Sequence, residues 1–285
     1  MADYSIDAKA MDINLIGKFE TDLHNLQAVL SQADVQVVAP GTAWKIYKSS
    51  GTLSAEAVAE KALIPDSGIA MGAPTVKELT YGKYRNLTSI ENIGKLGYDV
   101  AVGGSNRAVL KDIQKGIRTT IFTALGTGTG TDTVTTTGLS NAKIFQKKVA
   151  KAAAYVSKKF EDEAHTPIIF VSPDDAFEYL GEHDVTLEND FGLSYLKNFL
   201  GIGNVIIDSN VPAGTVYGTA AENIAIVATS IASIPGMELT TDETGIIAVK
   251  NGPLYSNAAV ELVAFTGISV QPYYTDRIVK VTSKG

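Results

Sequence analysis

Residues 53–84 cannot make a core of their own, and this constrains the rest of the chain. Their apolar side chains, Val58, Leu63, Ile64, Ile69, Met71, Val76 and Leu79, are scattered along the whole stretch. Turn signals stand at Pro65-Asp66-Ser67-Gly68, and a second break at Gly72-Ala73-Pro74. The pattern predicts a long two-stranded excursion. An isolated hairpin is marginal in water, so this one is expected to rest on another molecule. The remaining chain must then supply the core. With 285 residues, 45% hydrophobic and 19% charged, it can, at roughly 150 residues per domain, build one or two domains; two fit better.

Around that excursion the chain alternates helix and strand signals. Leu15, Phe19, Leu23, Leu26 and Leu30 recur at helical spacing and predict an amphipathic helix that needs something to lie on. Pro40-Gly41 breaks the chain, and 42–47 reads as a strand. Val109, Ile113, Ile117 and Ile121 fall every four residues, predicting a helix capped at Ser105 or Asn106 and stopped by Gly126. Residues 126–138, almost only Gly and Thr, read as a linker and domain boundary.

Beyond the linker, Ser140 is expected to cap a helix that buries Phe145, Val149, Ala152, Val156 and Phe160 and turns Lys143, Lys147, Lys151 and Lys158 outward. Residues 167–171 read as a buried strand. Ser172-Pro173-Asp174-Asp175 then has the N-cap, the N1 proline and the first-turn acids of a helix start. Strands are expected at 205–207, 215–217 and 224–228, with Val211-Pro212-Ala213-Gly214 as a turn. Val-, Ile- and Thr-rich segments at 237–241, 246–249, 258–270 and 277–282 suggest antiparallel pairing.

The residue types that carry catalysis are sparse. There is no cysteine, which removes disulfides and thiolate chemistry. His24, His165 and His183 have neither metal-helix spacing nor a serine motif nearby. Asp174 and Asp175 are accounted for by the helix dipole. Gly126-Thr127-Gly128-Thr129-Gly130 follows a helix and lacks Gly-Lys-Ser/Thr, so it is no phosphate loop. A net charge of −7 gives no counterion-release drive toward nucleic acid. The opening Met-Ala-Asp-Tyr has no apolar h-region, and no signal peptide is expected. No run is long enough to span a membrane.

The order of these parts resembles the tailed-bacteriophage major capsid proteins. The likeness runs from about Leu15 to Thr282 and is carried by Ala55-Glu56-Ala57-Val58-Ala59-Glu60-Lys61-Ala62-Leu63-Ile64-Pro65, by 77–87, by 167–174 and by 208–218. The resemblance implies an α+β fold with an N-terminal arm (1–41), an extended β-hairpin loop (53–84), a peripheral domain with a long spine helix (42–52, 85–137 and 232–285) and an α/β axial domain (138–231). Residues 261–270 and 277–281 resemble its final peripheral strands.

The resemblance further implies a virion shell subunit, not an enzyme, assembled in a bacterial cytoplasm into hexamers and pentamers of an icosahedral head. It would enclose double-stranded DNA without specific binding, with separate scaffolding and portal proteins as further partners. No catalytic, cofactor or metal residue is implied. Inter-subunit contacts are expected from Leu15, Phe19, Leu23, Val58, Leu63, Ile64, Ile69, Lys77 and Leu79. An encapsulin-type compartment shell of the same fold is the alternative, and a soluble α/β enzyme the third reading.

Overall fold

The computed structural model describes residues 4–31, 35–39, 41, 43–47, 49–50, 70–161, 163–183, 186–190, 193–231 and 238–284. The helices are α1 (Tyr4–Val29), α2 (Ile90–Leu96), α3 (Tyr98–Gly126), α4 (Asn141–Lys159) and α5 (Pro173–Glu182). The strands begin with β1 (Val35–Val38), β2 (Ala43–Ile46), β3 (Ser49–Ser50), β4 (Ala70–Met71), β5 (Thr75–Glu78), β6 (Gly82–Ser89), β7 (Gly130–Thr135), β8 (Pro167–Val171) and β9 (Glu188–Asp190). They continue with β10 (Leu193–Phe199), β11 (Gly203–Ile207), β12 (Thr215–Ala220), β13 (Ile224–Thr229), β14 (Thr240–Thr241), β15 (Ile247–Leu254), β16 (Ala259–Thr266), β17 (Ile268–Pro272) and β18 (Val279–Lys284). The class is mixed α+β, as expected.

Among the described residues the largest sheet has seven strands in the order β7-β18-β12-β8-β11-β10-β9. Helix α4 covers it, burying Phe145, Val149 and Ala152 with Ile169, Val171, Val216, Val279 and Val281. Its N-cap is Ser140, whose Oγ accepts the Lys143 N–H, and α5 is capped by Ser172 with Pro173 at N1. A four-stranded sheet, β14-β15-β16-β6, lies against α1 and α3, and β1-β13-β17 makes a third.

Three expectations change. The long helix begins at Tyr98, seven residues before Ser105, and reaches about 43 Å over its 29 residues. The break is Gly97, at φ +81, a conformation that L side chains rarely adopt. Ser105 and Asn106 lie inside the helix. The Gly/Thr linker contains an ordered strand, β7, running parallel to β18 from Val279↔Gly130 to Lys284↔Thr135. Glycine is required there: a Cβ at Gly130 would stand 2.7 Å from the Ile278 carbonyl oxygen. Last, β18 sits between β7 and β12 in the large sheet, while β16 pairs with β6, so the closing strands part company. The core is continuous across these sheets: Ile113 and Ile121 of α3 belong to one cluster with Phe170 and Ile206.

Candidate assembly surfaces

The two-stranded excursion exists as a stem. Trp44 pairs with Lys77 and Ile46 with Thr75, and further out Ser49 pairs with Met71 and Ser50 with Ala70. From Ile46 to Ser49 one strand advances three residues while from Thr75 back to Met71 the other takes four. The extra residue falls at Gly72-Ala73-Pro74, where proline has no N–H to give the ladder.

The base of the stem is anchored on its own chain. Trp44 and Ile46 are buried with Ala225 and Val227 of β13, and Leu79 packs on that cluster. The Trp44 indole N–H donates to Gln36 Oε1 at 3.0 Å, and its ring lies 5.5 Å from that of Tyr273. Lys77 is half-buried beside this base. Leu79, partly buried, packs on the anchor. Other apolar side chains of the stem, Tyr47, Val76 and Met71, are exposed, Met71 at 70%. Val58, Leu63, Ile64 and Ile69 lie outside the described residues.

The N-terminal helix packs on its own subunit. Leu15, Phe19 and Leu23 are buried in the subunit's own core with Ile113, Ile117 and Ile121 of α3. The helix needed something to lie on, and α3 with β15 is that surface. Asp22 fixes the crossing by accepting the Gln114 side-chain N–H at 2.7 Å. In the subunit these three residues are part of the core.

A second exposed apolar surface was missed from the sequence. Helix α2 buries none of its residues, and Ile90, Leu96 and Val100 are exposed. Beside them Tyr255, 88% exposed, and Leu254 close a cleft of about 490 Å³ with Ile90, Ile93, Tyr98 and Val260. The signal was present, since Ile90, Ile93 and Leu96 share one side of a helix. Exposed apolar patches of this kind mark interaction sites.

The groups considered for chemistry are in structural roles. The His24 ring lies 2.8 Å from the Glu20 carbonyl, His165 stacks on Phe160, and His183 stacks on Tyr179 at 4.4 Å. Asp242 organises its turn, accepting from Thr244 and from the Ile247 N–H. Lys151 on the α4 face is held by Asp132 at 2.9 Å, and that hydrogen bond draws the Asp132 carboxyl below its usual range. No three His, Cys, Asp or Glu among the described residues could hold a metal, and no helix among them is long and apolar enough to cross a membrane.

No protein-family model and no curated protein matches the chain. Solved structures match its fold over most of its length. The capsid of the cyanophage P-SCSP1u aligns at a TM-score of 0.57 and 9% identity, covering 88% of this chain and 86% of that one. The capsid of an empty GTA particle aligns at 0.55 and 12%, covering 88% of each. A virus-like particle from Pyrococcus furiosus aligns at 0.52 and 12%, covering 93% of this chain and 99% of that one. All three are shells, and at such identities the likeness is one of fold. This chain has the fold of the tailed-phage major capsid proteins.

Proposed function

We propose that the chain is a shell subunit that self-assembles into hexamers and pentamers of an icosahedral phage head enclosing double-stranded DNA. One observation carries this reading: in a chain of capsid fold, the hairpin stem is rooted on β13 yet leaves Tyr47, Met71 and Val76 exposed. A neighbouring subunit covers them. Each contact is worth roughly 25 cal/mol per Å² of apolar area, and every subunit meets several neighbours, so modest contacts sum around a closed lattice. The apolar residues Val58, Leu63, Ile64 and Ile69 of the hairpin sequence are assigned to the same contact, and the surface of Ile90, Leu96 and Tyr255 to a second one.

The test leaves the anchored base intact. Replacing 51–69 by a short Gly-Ser turn keeps Trp44, Ile46, Lys77 and Leu79 in place. The free subunit should unfold at nearly the wild-type temperature while particle formation fails. Closed shells of normal size from this variant would contradict the reading. A compartment shell of the encapsulin type would share the fold and differ in content. Nuclease-resistant DNA in purified particles supports the phage head, and protein cargo without DNA supports the compartment.

A further inference from the structure

Asp12 is the one carboxylate of α1 that is buried among its described side chains, at 4% exposure. It faces Asn251 in the middle of β15. Its Oδ1 accepts both the Asn251 backbone N–H at 3.0 Å and the Asn251 side-chain N–H at 2.7 Å. Its Oδ2 lies 3.5 Å from the Thr240 hydroxyl. Asn251 Oδ1, on the same amide, is buried and has no hydrogen-bond partner.

Hydrogen bonds of this kind normally favour an ionised carboxylate, but here burial outweighs them and holds the Asp12 carboxyl above its ordinary value of 3.8. The charges on the elements packed around it give little help. On β15, Lys250 draws the carboxyl downward, but it is half-exposed and shared with Glu238 at 3.3 Å. On α3, Asp99 and Arg107 line a cleft beside Ala10, Met11 and Asn14. Glu188 of β9 is bound by the Tyr195 hydroxyl at 2.7 Å, and Asp242 after β14 by Thr244. Of all these, only Lys250 bears on the ionisation of Asp12.

We infer that Asp12 and Asn251 form a proton-sensitive clasp by which the first half of α1 grips β15, tightened by acid and loosened toward neutral and alkaline pH. A neutral carboxyl has an acceptor in the Thr240 hydroxyl, 3.5 Å from Oδ2, while Oδ1 keeps the two Asn251 N–H groups. The ionised one stays desolvated and incompletely compensated. The sign follows from linkage. A carboxyl whose docked value is raised binds its proton more tightly docked than released. Docking is therefore strongest below the ordinary value and weakens as pH rises to the raised one. The lower half of α1, with Phe19, Leu23 and Leu26 in the core, is outside this control.

Hydrogen exchange of the full chain tests the clasp, with rates corrected for intrinsic pH dependence. Protection of amides 9–16 should fall as pH rises above the ordinary carboxylate value of 3.8, while that of 19–29 does not. Asp12→Asn keeps an acceptor for Asn251 and a donor toward Thr240. It should hold the acid-level protection at every pH. Lys250→Met removes the one helpful charge and should move the wild-type midpoint upward. An unchanged wild-type profile in Asp12→Asn, a loss of protection there, or no midpoint shift in Lys250→Met would overturn the inference. None of these readouts requires assembly, so they stand apart from the shell reading.

Discussion

Asp175, at the third position of α5, accepts the backbone N–H of Gly214 at 2.8 Å. On the other side of the same glycine, Lys148 of α4 donates to the Gly214 carbonyl at 2.9 Å. Two ionisable side chains from two helices thus clamp both polar groups of one residue, within the turn 212–215. Asp175 also accepts from the Ser172 hydroxyl at 3.0 Å, while its own N–H donates to Ser172 Oγ at 3.2 Å, completing the N-cap.

Asp175→Ala should therefore cost more than a surface substitution. It strips the Gly214 N–H of its partner and leaves Ser172 half-satisfied, a loss of about 1–3 kcal/mol. Asp175→Asn retains an acceptor and should lose less. Urea unfolding of the free subunit checks both, and equal midpoints for Ala and wild type would show that the clamp contributes nothing.

Ile113 lies at the centre of the α3 contact with α1, buried in the cluster that holds Leu15 and Phe19. Ile113→Ala is expected to cost about 2–5 kcal/mol by loss of buried area and cavity formation. Ile113→Asp should fail to fold at the wild-type temperature, because an unpaired buried charge costs as much as a domain's whole stability. Circular dichroism melts decide this. A near-wild-type melt for Ile113→Asp would mean that this face of α3 is wrongly placed.

Gly130→Ala tests the β7–β18 pairing. The added carbon would meet the Ile278 carbonyl and the Tyr155 ring at 2.7 Å, so backbone must shift, at a cost of about 1–3 kcal/mol. The loss should appear as faster amide exchange in 130–135 and 279–284. Unchanged exchange in both strands would rule out the close approach.

The local signals that proved sound were those decided within a few residues. Ser140 and Ser172 cap the helices they announced, and the turn read at 211–214 is found one residue on, at 212–215, closed by the Thr215 N–H donating to Pro212 O. What could not be read depends on distant partners. The amphipathic stripe of α1 is the same whether it meets α3 or a neighbouring subunit, so the sequence alone does not say that Leu15, Phe19 and Leu23 pack in the subunit's own core. Gly103 and Gly104 lie within α3 although their helix propensity is low, so the start at Tyr98 rests on tertiary packing and not on local preference. Strand β7 was hidden in a composition of Gly and Thr because its reason for being a strand is β18, far along the chain. Strand β10 was missed altogether. Nothing near Asp12 in sequence marks Asn251 as its partner.

Acidic composition carries its own expectation. With a net charge of −7 and Lys151 and Lys159 of α4 already engaged by Asp132 and Asp276, the free subunit should be retained only weakly on DNA at about 0.15 M salt, where the Debye length is about 8 Å. Strong binding that weakens steeply with added salt would contradict retention by enclosure alone.

The central claim, that this chain builds a closed shell, is tested most directly by the mass of what it forms. The full chain, purified without partners and concentrated, should give particles of megadalton mass in light scattering, seen as closed icosahedral shells by negative-stain electron microscopy. A stable monomer, dimer or tetramer at every concentration, both alone and when expressed with a scaffolding protein, would contradict it.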